Sequence, residues 1–222
     1  MKQSQPEVYW DRLFAPSSAL AVITTVDAAG RVNAASYGTC VRVHHNPMYI
    51  SFTCNADRDT ARNLEEVGEF VVNLPPFDRE ALEKVRVVGL PFARGVNELE
   101  KAKLTAIDAV TVRPPRIAEF PRHFECKLEW TKVWAGVRCM VVGKVTAASV
   151  DADCVDENGF VLWDRVKPAH FCGAPYHNMF VAAYQTMSVD VPYEGPEVAA
   201  YNASEYSMFA ELERAHEEQA PQ

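Results

Sequence analysis

Residues Ala19–Pro75, ALAVITTVDAAGRVNAASYGTCVRVHHNPMYISFTCNADRDTARNLEEVGEFVVNLP, are the stretch that decides the fold. Four segments in it are rich in apolar and β-branched residues, which is typical of strands. They are Ala19–Val26, Arg31–Val43, Met48–Thr53 and Phe70–Leu74. Between the last two, Asp57–Val67 has helical spacing of its apolar residues. Gly30 supplies the positive φ that the first reversal requires.

The remaining sequence extends this pattern. It predicts helices at Pro6–Phe14, Asp78–Val88, Asn97–Lys103 and Tyr201–Glu218, strands at His123–Val133 and Cys139–Val150, a short apolar segment at Phe160–Trp163, and a connection over Thr105–Arg122. Many strands with interleaved helices indicate a mainly β fold, a β-barrel with helical decorations, rather than a βαβ sheet. No linker is visible, so we expect one domain over residues 1–222, with a C-terminal helical extension over about 199–222.

Composition excludes several classes of function. The formal net charge is -8 and the chain contains no basic run, which argues against a nucleic-acid partner. The N-terminal residues MKQSQPEVYW contain no apolar signal core, and no apolar run approaches the ~18 residues of a membrane span. We therefore expect a cytoplasmic protein without a membrane segment.

The cysteines and acidic clusters predict no metal site. The six cysteines are scattered without a C-x-x-C pair, which favours free thiols over zinc ligands or disulfides. Asp151 and Asp153 lie in an acidic turn that does not meet the spacing of a calcium-binding loop. His44 and His45 lack partner ligands at usable spacing.

Small residues occupy the middle of the second predicted strand. Asn33, Ala34, Ala35 and Ser36 are followed by Tyr37, Gly38 and Thr39. Such residues allow a flat ring system to approach backbone N–H and C=O groups, which bulky side chains would block. The alternative is a twisted or bulged strand, where small residues are also common.

Two further segments follow in order. Ser51, Thr53 and Asn55 alternate along a strand and share one face, while Phe52 and Cys54 point the other way. Arg58-Asp59-Thr60 then opens a helix, where free N–H groups and the helix dipole favour a phosphate. The alternative is capping, with Asp57 or Asp59 as the N-cap and Thr60 in the first turn.

In this order the segments resemble the flavin-reductase-like family of FMN-binding split β-barrels, in detail over the first third of the chain and more loosely beyond. The resemblance implies non-covalently bound FMN, a homodimer, and phosphate contacts from Arg58 and Thr60, with Asp59 as the cap. The cofactor-binding residues that it implies are Asn33, Ala35, Ser36, Tyr37, Gly38, Thr39, Ser51, Phe52, Thr53, Asn55, Arg58, Thr60, His170 and Tyr176.

The segment from Lys167 to Tyr176, KPAHFCGAPY, resembles the family's late segment near the flavin. It departs from the family in having Cys172-Gly173 where two glycines are more common. His170 is the candidate to approach the flavin or the nicotinamide, and its alternative role is that of a structural hydrogen-bonding residue. No other side chain is a candidate catalytic residue.

The resemblance implies an NAD(P)H:flavin oxidoreductase that transfers hydride from the nicotinamide to the flavin. No G-x-G-x-x-G motif follows a strand, but this family binds NAD(P)H only transiently. An alternative is a flavoredoxin-like electron carrier that uses NAD(P)H inefficiently, and a third is a PNP-oxidase-like enzyme, which the motif order disfavours. A flavin-dependent monooxygenase is a possible electron-accepting partner. Trp130, Trp134 and Phe180 are candidates for burial in a dimer interface, although a core position is commoner for such residues.

Overall fold

Six antiparallel strands form a closed barrel. The structure, a computed structural model, describes residues 3–7, 10–14, 16, 18–173, 179–187, 195–196 and 199–200. The strands of the described part of the chain, inside and outside the barrel, are β1 (Ala19–Val26), β2 (Val32–His45), β3 (Met48–Asn55), β4 (Glu69–Leu74), β5 (Ala106–Ile107), β6 (Arg116–Ile117), β7 (Arg122–Trp134), β8 (Arg138–Val150), β9 (Ala169–Phe171) and β10 (Phe180–Ala182). The barrel order is β1-β2-β3-β8-β7-β4, and pairing of β4 with β1 closes it.

The α-helices within the described residues are α1 (Trp10–Phe14), α2 (Asp59–Val67), α3 (Arg79–Val88), α4 (Glu98–Ala102) and α5 (Trp163–Val166). Helix α2 connects β3 to β4. Helices α3 and α4 follow β4 and contact β2. Strands β9 and β10 extend the sheet beyond β1, and β5 with β6 forms a small separate hairpin within the predicted connection.

Strand β1 is buried on both faces, which explains its continuous apolar sequence. Ala21 and Ile23 point into the barrel, where Phe52 and Phe70 are fully buried. Leu20 and Val22 point outward into a second apolar layer beneath α3 and α4. Because one strand supplies both layers, the helices are held against the barrel wall rather than forming a separate core.

The sequence predicted the element types correctly over this barrel, with small differences at the ends. Asp78 and Asn97 are N-caps of α3 and α4, and each side chain accepts a hydrogen bond from a backbone N–H in the first turn. Within the predicted helix Pro6–Phe14, the structure has a helix over Trp10–Phe14, where Leu13 is exposed. All six cysteines are buried and none forms a disulfide.

Contacts between Cα atoms divide the chain into two units, residues 1–185 and 186–222, and the barrel belongs to the first. Tyr176 and the C-terminal helix predicted over Tyr201–Glu218 lie outside the described residues. Among the helices that the structure describes, none combines the length and the apolar character needed to cross a membrane.

Gly143 tests the packing of the barrel interior. A Cβ atom at this position in β8 would collide with the ring of Phe70 and lie 3.2 Å from the Lys127 carbonyl oxygen. We expect Gly143→Ala to lower the free energy of unfolding by about 1–3 kcal/mol because the core must shift to admit a methyl group. Urea denaturation measures this.

The control is the same substitution in a Phe70→Leu background. There the smaller side chain leaves room, so the added cost of Gly143→Ala should fall. An equal cost in both backgrounds would show that the glycine is required for another reason.

Candidate functional site

Strands β2 and β3 separate at one end of their ladder and leave a cleft. Strand β2 pairs with β1 along Val32–Cys40, but it pairs with β3 only from Val41 onward, opposite Ser51. The edge of β2 that faces away from β1 therefore pairs with no strand of the described part of the chain over Asn33–Cys40. We call the opening between this edge and residues Thr53–Asn55 the β2–β3 cleft.

Backbone groups line this open edge. The N–H of Ala34 donates to Glu98 Oε2 at 2.9 Å rather than to a strand. Because backbone groups alternate in direction along an antiparallel strand, the N–H and C=O of Ser36 face the same way as those of Ala34. The edge thus presents the donor and acceptor pattern that the pyrimidine side of a flavin ring can bind.

A β-bulge lies at the end of the open edge. Ala19 is opposite Cys40 while Ala21 is opposite Tyr37, so Gly38 and Thr39 together face one residue of β1. Gly38 is also a point of close approach, since a Cβ there would lie 3.0 Å from the ring of Phe171 in β9. The bulged strand that the sequence analysis kept as an alternative is therefore present, and it lies at the cleft.

Hydroxyl groups bridge the cleft where the strands begin to separate. Thr39 Oγ1 accepts from the backbone N–H of Thr53 at 3.1 Å and lies 3.1 Å from Thr53 Oγ1. Asn55 Oδ1 accepts from Arg138 Nη1 at 3.0 Å. Ser51, in contrast, is buried and only 1% exposed. Thr53 and Asn55 therefore lie along the cleft, while Ser51 lies at its closed end.

The side chain of Phe52 points into the barrel, as the alternation predicted. Its ring centroid is 5.1 Å from that of Tyr37 and 5.4 Å from that of Phe70. Only the backbone of Phe52 is therefore available to a ligand in the cleft.

Helix α2 begins at the far end of the cleft with a free N-terminus. Arg58 occupies the N-cap and provides no side-chain cap. Helix α2 has nine residues, and the backbone N–H groups of its first turn have no intrahelical acceptor. The Arg58 side chain is exposed and has no ion-pair partner among the described residues. A helix start with an unpaired cation fits an anionic group such as a phosphate.

The predicted capping role of Asp59 is wrong. The helix begins at Asp59 instead of Asp57, and Asp59 is the first helical residue rather than the N-cap. Its carboxylate lies 3.6 Å from Arg62 Nη1 and 3.8 Å from Arg94 Nε. These two arginines hold Asp59 on the helix flank, which leaves the helix start without a capping side chain.

Thr60 is turned away from the helix start. Its Oγ1 accepts from Tyr37 Oη at 2.9 Å and from Asn33 Nδ2 at 3.3 Å, and the residue is 2% exposed. The Nδ2 atoms of Asn33 and Asn63 also donate to Thr25 Oγ1, at 3.2 and 3.0 Å. Burial raises the pKa of Tyr37 far above its ordinary value, so its phenol keeps its proton. This network fixes α2 against β1 and β2, and Thr60 presents its backbone N–H, not its hydroxyl, at the helix start.

Glu98 is a site residue that the sequence analysis missed. Its carboxylate is 7% exposed and occupies the open edge of β2 through its bond with Ala34. Burial raises its pKa above the ordinary value, and the neighbouring Asp59 carboxylate adds to this effect. No sequence signal marks it, because a glutamate in the first turn of a helix is common and its contact with β2 is tertiary.

Strand β9 brings His170 close to the bulge. His170 pairs with Ala19 of β1, next to Ser18 in the chain. Ser18 Oγ donates to the Gly38 carbonyl at 2.6 Å. Burial lowers the pKa of His170, which favours its neutral form. His170 therefore lies in the strand next to the Ser18–Gly38 contact, and its role at the flavin stays a prediction.

Comparison with known proteins identifies the family. The flavin reductase like domain matches residues 15–170. The chain belongs to this family. An uncharacterized protein of Bacillus subtilis, YwrF, is 31% identical over 160 residues, which cover 68% of this chain and 77% of YwrF.

Two solved structures share the fold. Nitrilotriacetate monooxygenase component B from Bacillus cereus has a TM-score of 0.73 and 24% identity, covering 85% of this chain and 98% of that one. Flavoredoxin of Desulfovibrio vulgaris has a TM-score of 0.72 and 21% identity, covering 86% and 98%. The mainly β, split-barrel fold expected from the sequence is confirmed.

The buried network predicts that Thr60 is primarily a stability residue. Thr60→Val removes the acceptor of two buried donors, so we expect the free energy of unfolding to fall by about 2 kcal/mol or more. Thr60→Ser keeps the hydroxyl and should retain most of the stability. Thermal and urea unfolding of the two variants decide this, and equal loss in both would point to packing of the methyl group instead.

Glu98 predicts a pH dependence of stability. A carboxyl whose pKa is raised by folding binds its proton more tightly in the folded state, so its contribution is greatest at low pH and is lost as the pH rises through the folded pKa. Urea unfolding from pH 4 upward should therefore show the parent losing stability relative to Glu98→Gln as the pH increases. A constant difference between the two proteins would mean that Glu98 does not titrate in this range.

Proposed function

We propose that the chain binds FMN non-covalently in the β2–β3 cleft and acts as an NAD(P)H-dependent flavin reductase. The observation that carries the proposal is the alignment of an unpaired backbone edge with a free helix N-terminus. Membership of the flavin reductase like family supports flavin chemistry, while the identity of the flavin and of the reductant is part of the proposal.

The residues at the two ends of the cleft fit FMN. Arg58 and the first-turn N–H groups of α2 would hold the phosphate, and the β2 edge at Ser36–Thr39 would hold the ring, with Thr53 and Asn55 between them. Only one anionic group has to be held at the helix start, which favours the mononucleotide over FAD. FMN, when bound, supplies the acceptor for a hydride from the nicotinamide.

The chain's own residues would position and shield the flavin rather than exchange protons with it. Tyr37 and His170 are both held neutral by burial, and the thiols in the barrel are unreactive, since burial raises the pKa of Cys40 and of Cys54 to about 12. Hydride transfer needs alignment at a reacting distance of roughly 3–3.5 Å more than an acid or base. The rigid barrel edge is suited to that task.

Anaerobic mixing of the FMN-loaded protein with NADH and with NADPH tests the function. Rapid bleaching of the visible flavin band by either nicotinamide supports the reductase. No bleaching by either one, with reduction by dithionite intact, would replace the proposal with a flavoredoxin-like electron carrier, which the structural likeness to flavoredoxin keeps as the second candidate.

We also propose a homodimer as the working unit. Trp130 and Trp134, on the part of β7 that extends beyond the barrel core, are 45% and 41% exposed, and Val133 beside them is 54% exposed. Trp130 and Trp134 lie on the same face of β7 because side chains alternate along a strand, whereas Val133 lies on the opposite face. Two exposed tryptophans on one face are typical of an interaction surface. Phe180 instead packs partly against the outer apolar layer, which favours the core position for this residue. Light scattering on the FMN-loaded protein should give a dimer, and a monomer would contradict this proposal.

For the electron acceptor we propose a class of protein. Component B of nitrilotriacetate monooxygenase, which shares the fold, is by its name part of a monooxygenase system. A flavin-dependent monooxygenase is therefore the partner that we propose for this chain, and free flavin or oxygen are the other acceptors open to a reduced flavin.

The position of Arg58 at the helix start predicts that its side chain contributes to the affinity for FMN. We expect Arg58→Ala to weaken FMN binding roughly ten- to a hundredfold, because a hydrogen bond to a charged group contributes about 1.5–3 kcal/mol. Unfolding should be unaffected, since the side chain is exposed. Arg165→Ala, an exposed arginine in α5, is the control and should bind FMN like the parent.

Fluorescence titration of FMN measures both variants, and chromatography of the flavin released by heat identifies it. Unchanged affinity in Arg58→Ala, or recovery mainly of FAD, would count against the phosphate site.

A further inference from the structure

A cavity of about 800 Å³ lies between α3 and β10. Its apolar walls are formed by Phe77, Leu82, Val87, Leu90 and Phe180, and Arg86 lies on the same side of α3. The volume falls in the range of small-molecule sites, which are mostly apolar with a few polar groups that fix orientation. Two aromatic rings, from Phe77 and Phe180, favour a planar ring as the occupant.

The two arginines that line the cavity differ in whether they are paired. Arg79 is paired with Glu83, whose Oε1 lies 3.4 Å from Arg79 Nη1. The side chain of Arg86 has neither an ion-pair nor a hydrogen-bond partner among the described residues. A guanidinium over an apolar wall, with its donors free, binds a carboxylate or phosphate in a bidentate manner. Asp78 also lines the cavity, and its carboxylate caps α3 by accepting from the backbone N–H of Ala81. Of the four charged side chains in the lining, Arg86 is therefore the one whose hydrogen-bonding groups have no partner among the described residues.

The walls of the cavity continue to the small-residue stretch of β2. Gly89, which precedes Leu90, lies against Ser36, since a Cβ there would be 2.7 Å from Ser36 Oγ. On the other side, the Phe180 ring centroid is 5.7 Å from that of Phe171, and Phe171 is the residue that contacts Gly38. Contacts through Gly89 on one side, and through Phe180 and Phe171 on the other, therefore connect the cavity walls to the same stretch of β2, at Ser36 and Gly38.

We propose that this cavity is a binding site for a small planar ring carrying an anionic group. Two sources share that chemistry, an aromatic carboxylate and the nicotinamide half of a dinucleotide with its phosphate. Binding itself requires no flavin. The consequence that a ring held here lies next to a bound flavin, where a second redox reactant has to sit, rests on the proposed function.

Fluorine NMR titration with 4-fluorobenzoate tests the site directly on the full-length protein, with and without FMN. We expect saturable binding in the parent and at least about tenfold weaker binding in Arg86→Glu, because an attraction between opposite charges becomes a repulsion. Lys101→Glu in α4 changes the net charge equally at an exposed helical position and should bind the probe like the parent. Binding without FMN separates this proposal from the flavin proposal.

Thiol labelling locates the probe. All six native cysteines are buried, so Leu90→Cys introduces an exposed thiol at the cavity wall. We expect saturating 4-fluorobenzoate to slow its reaction with N-ethylmaleimide by about tenfold, since a bound ring covers the wall. Val110→Cys, at an exposed position outside the cavity, should react at the same rate with and without the probe.

Reduced nicotinamide mononucleotide distinguishes the two sources. Displacement of 4-fluorobenzoate by this nucleotide assigns the site to the nicotinamide half of a dinucleotide, and binding of the benzoate without displacement assigns it to an aromatic carboxylate. Absence of saturable binding by both probes, or binding that Arg86→Glu leaves unchanged without protection of Leu90→Cys, would overturn the proposal.

Discussion

The separation of β2 from β3 beyond Val41 and Ser51 is the constraint on which the proposed site depends. An unpaired strand edge leaves backbone donors and acceptors that need partners, and an exposed edge invites pairing with other chains. Here Glu98 takes up the N–H of Ala34, and Thr39 takes up the N–H of Thr53. What remains open, around Ser36, is short enough to be covered by a ligand.

The buried network around Thr60 keeps this opening in place. Helix α2 lies where the barrel is split, and hydrogen bonds among Thr25, Asn33, Asn63 and Thr60 attach it to β1 and β2. Each of these polar groups would be costly if left unpaired. Because the network fixes the position of the helix start relative to the strand edge, the same contacts that stabilise the fold set the distance between the proposed ring and phosphate sites.

Local patterns were sufficient to predict the barrel elements and the order of the candidate site. The alternation of Ser51, Thr53 and Asn55 against Phe52 gave the correct faces of β3, because the side-chain period of a strand is fixed. Sequence could not show that Ser51 is covered, that the hydroxyl of Thr60 turns inward, or that Arg58 rather than an aspartate occupies the N-cap. Each of these depends on groups distant in sequence: Ser51 lies between Val41 and Val142 of the neighbouring strands. The Thr60 hydroxyl bonds to Asn33 and Tyr37, and Asp59 lies beside Arg94.

Dependence on groups distant in sequence is also why the sequence did not indicate Glu98 or the cavity beside α3. A glutamate in a first helical turn and a helix face with mixed charges are ordinary features. Their roles become visible only in the folded chain, where Glu98 of α4 contacts Ala34 and β10 lies opposite α3. The family resemblance covered the stretch that lines the β2–β3 cleft, and it had no signal for surfaces built by the later part of the chain.

The measurement that tests the central claim most directly is a crystal structure of the protein with FMN. The account predicts the pyrimidine edge of the ring along the backbone of β2 at Ser36–Thr39, and the phosphate within hydrogen-bonding distance of the first turn of α2 and Arg58. A flavin bound elsewhere, with the open edge of β2 and the start of α2 both free of ligand, would contradict it.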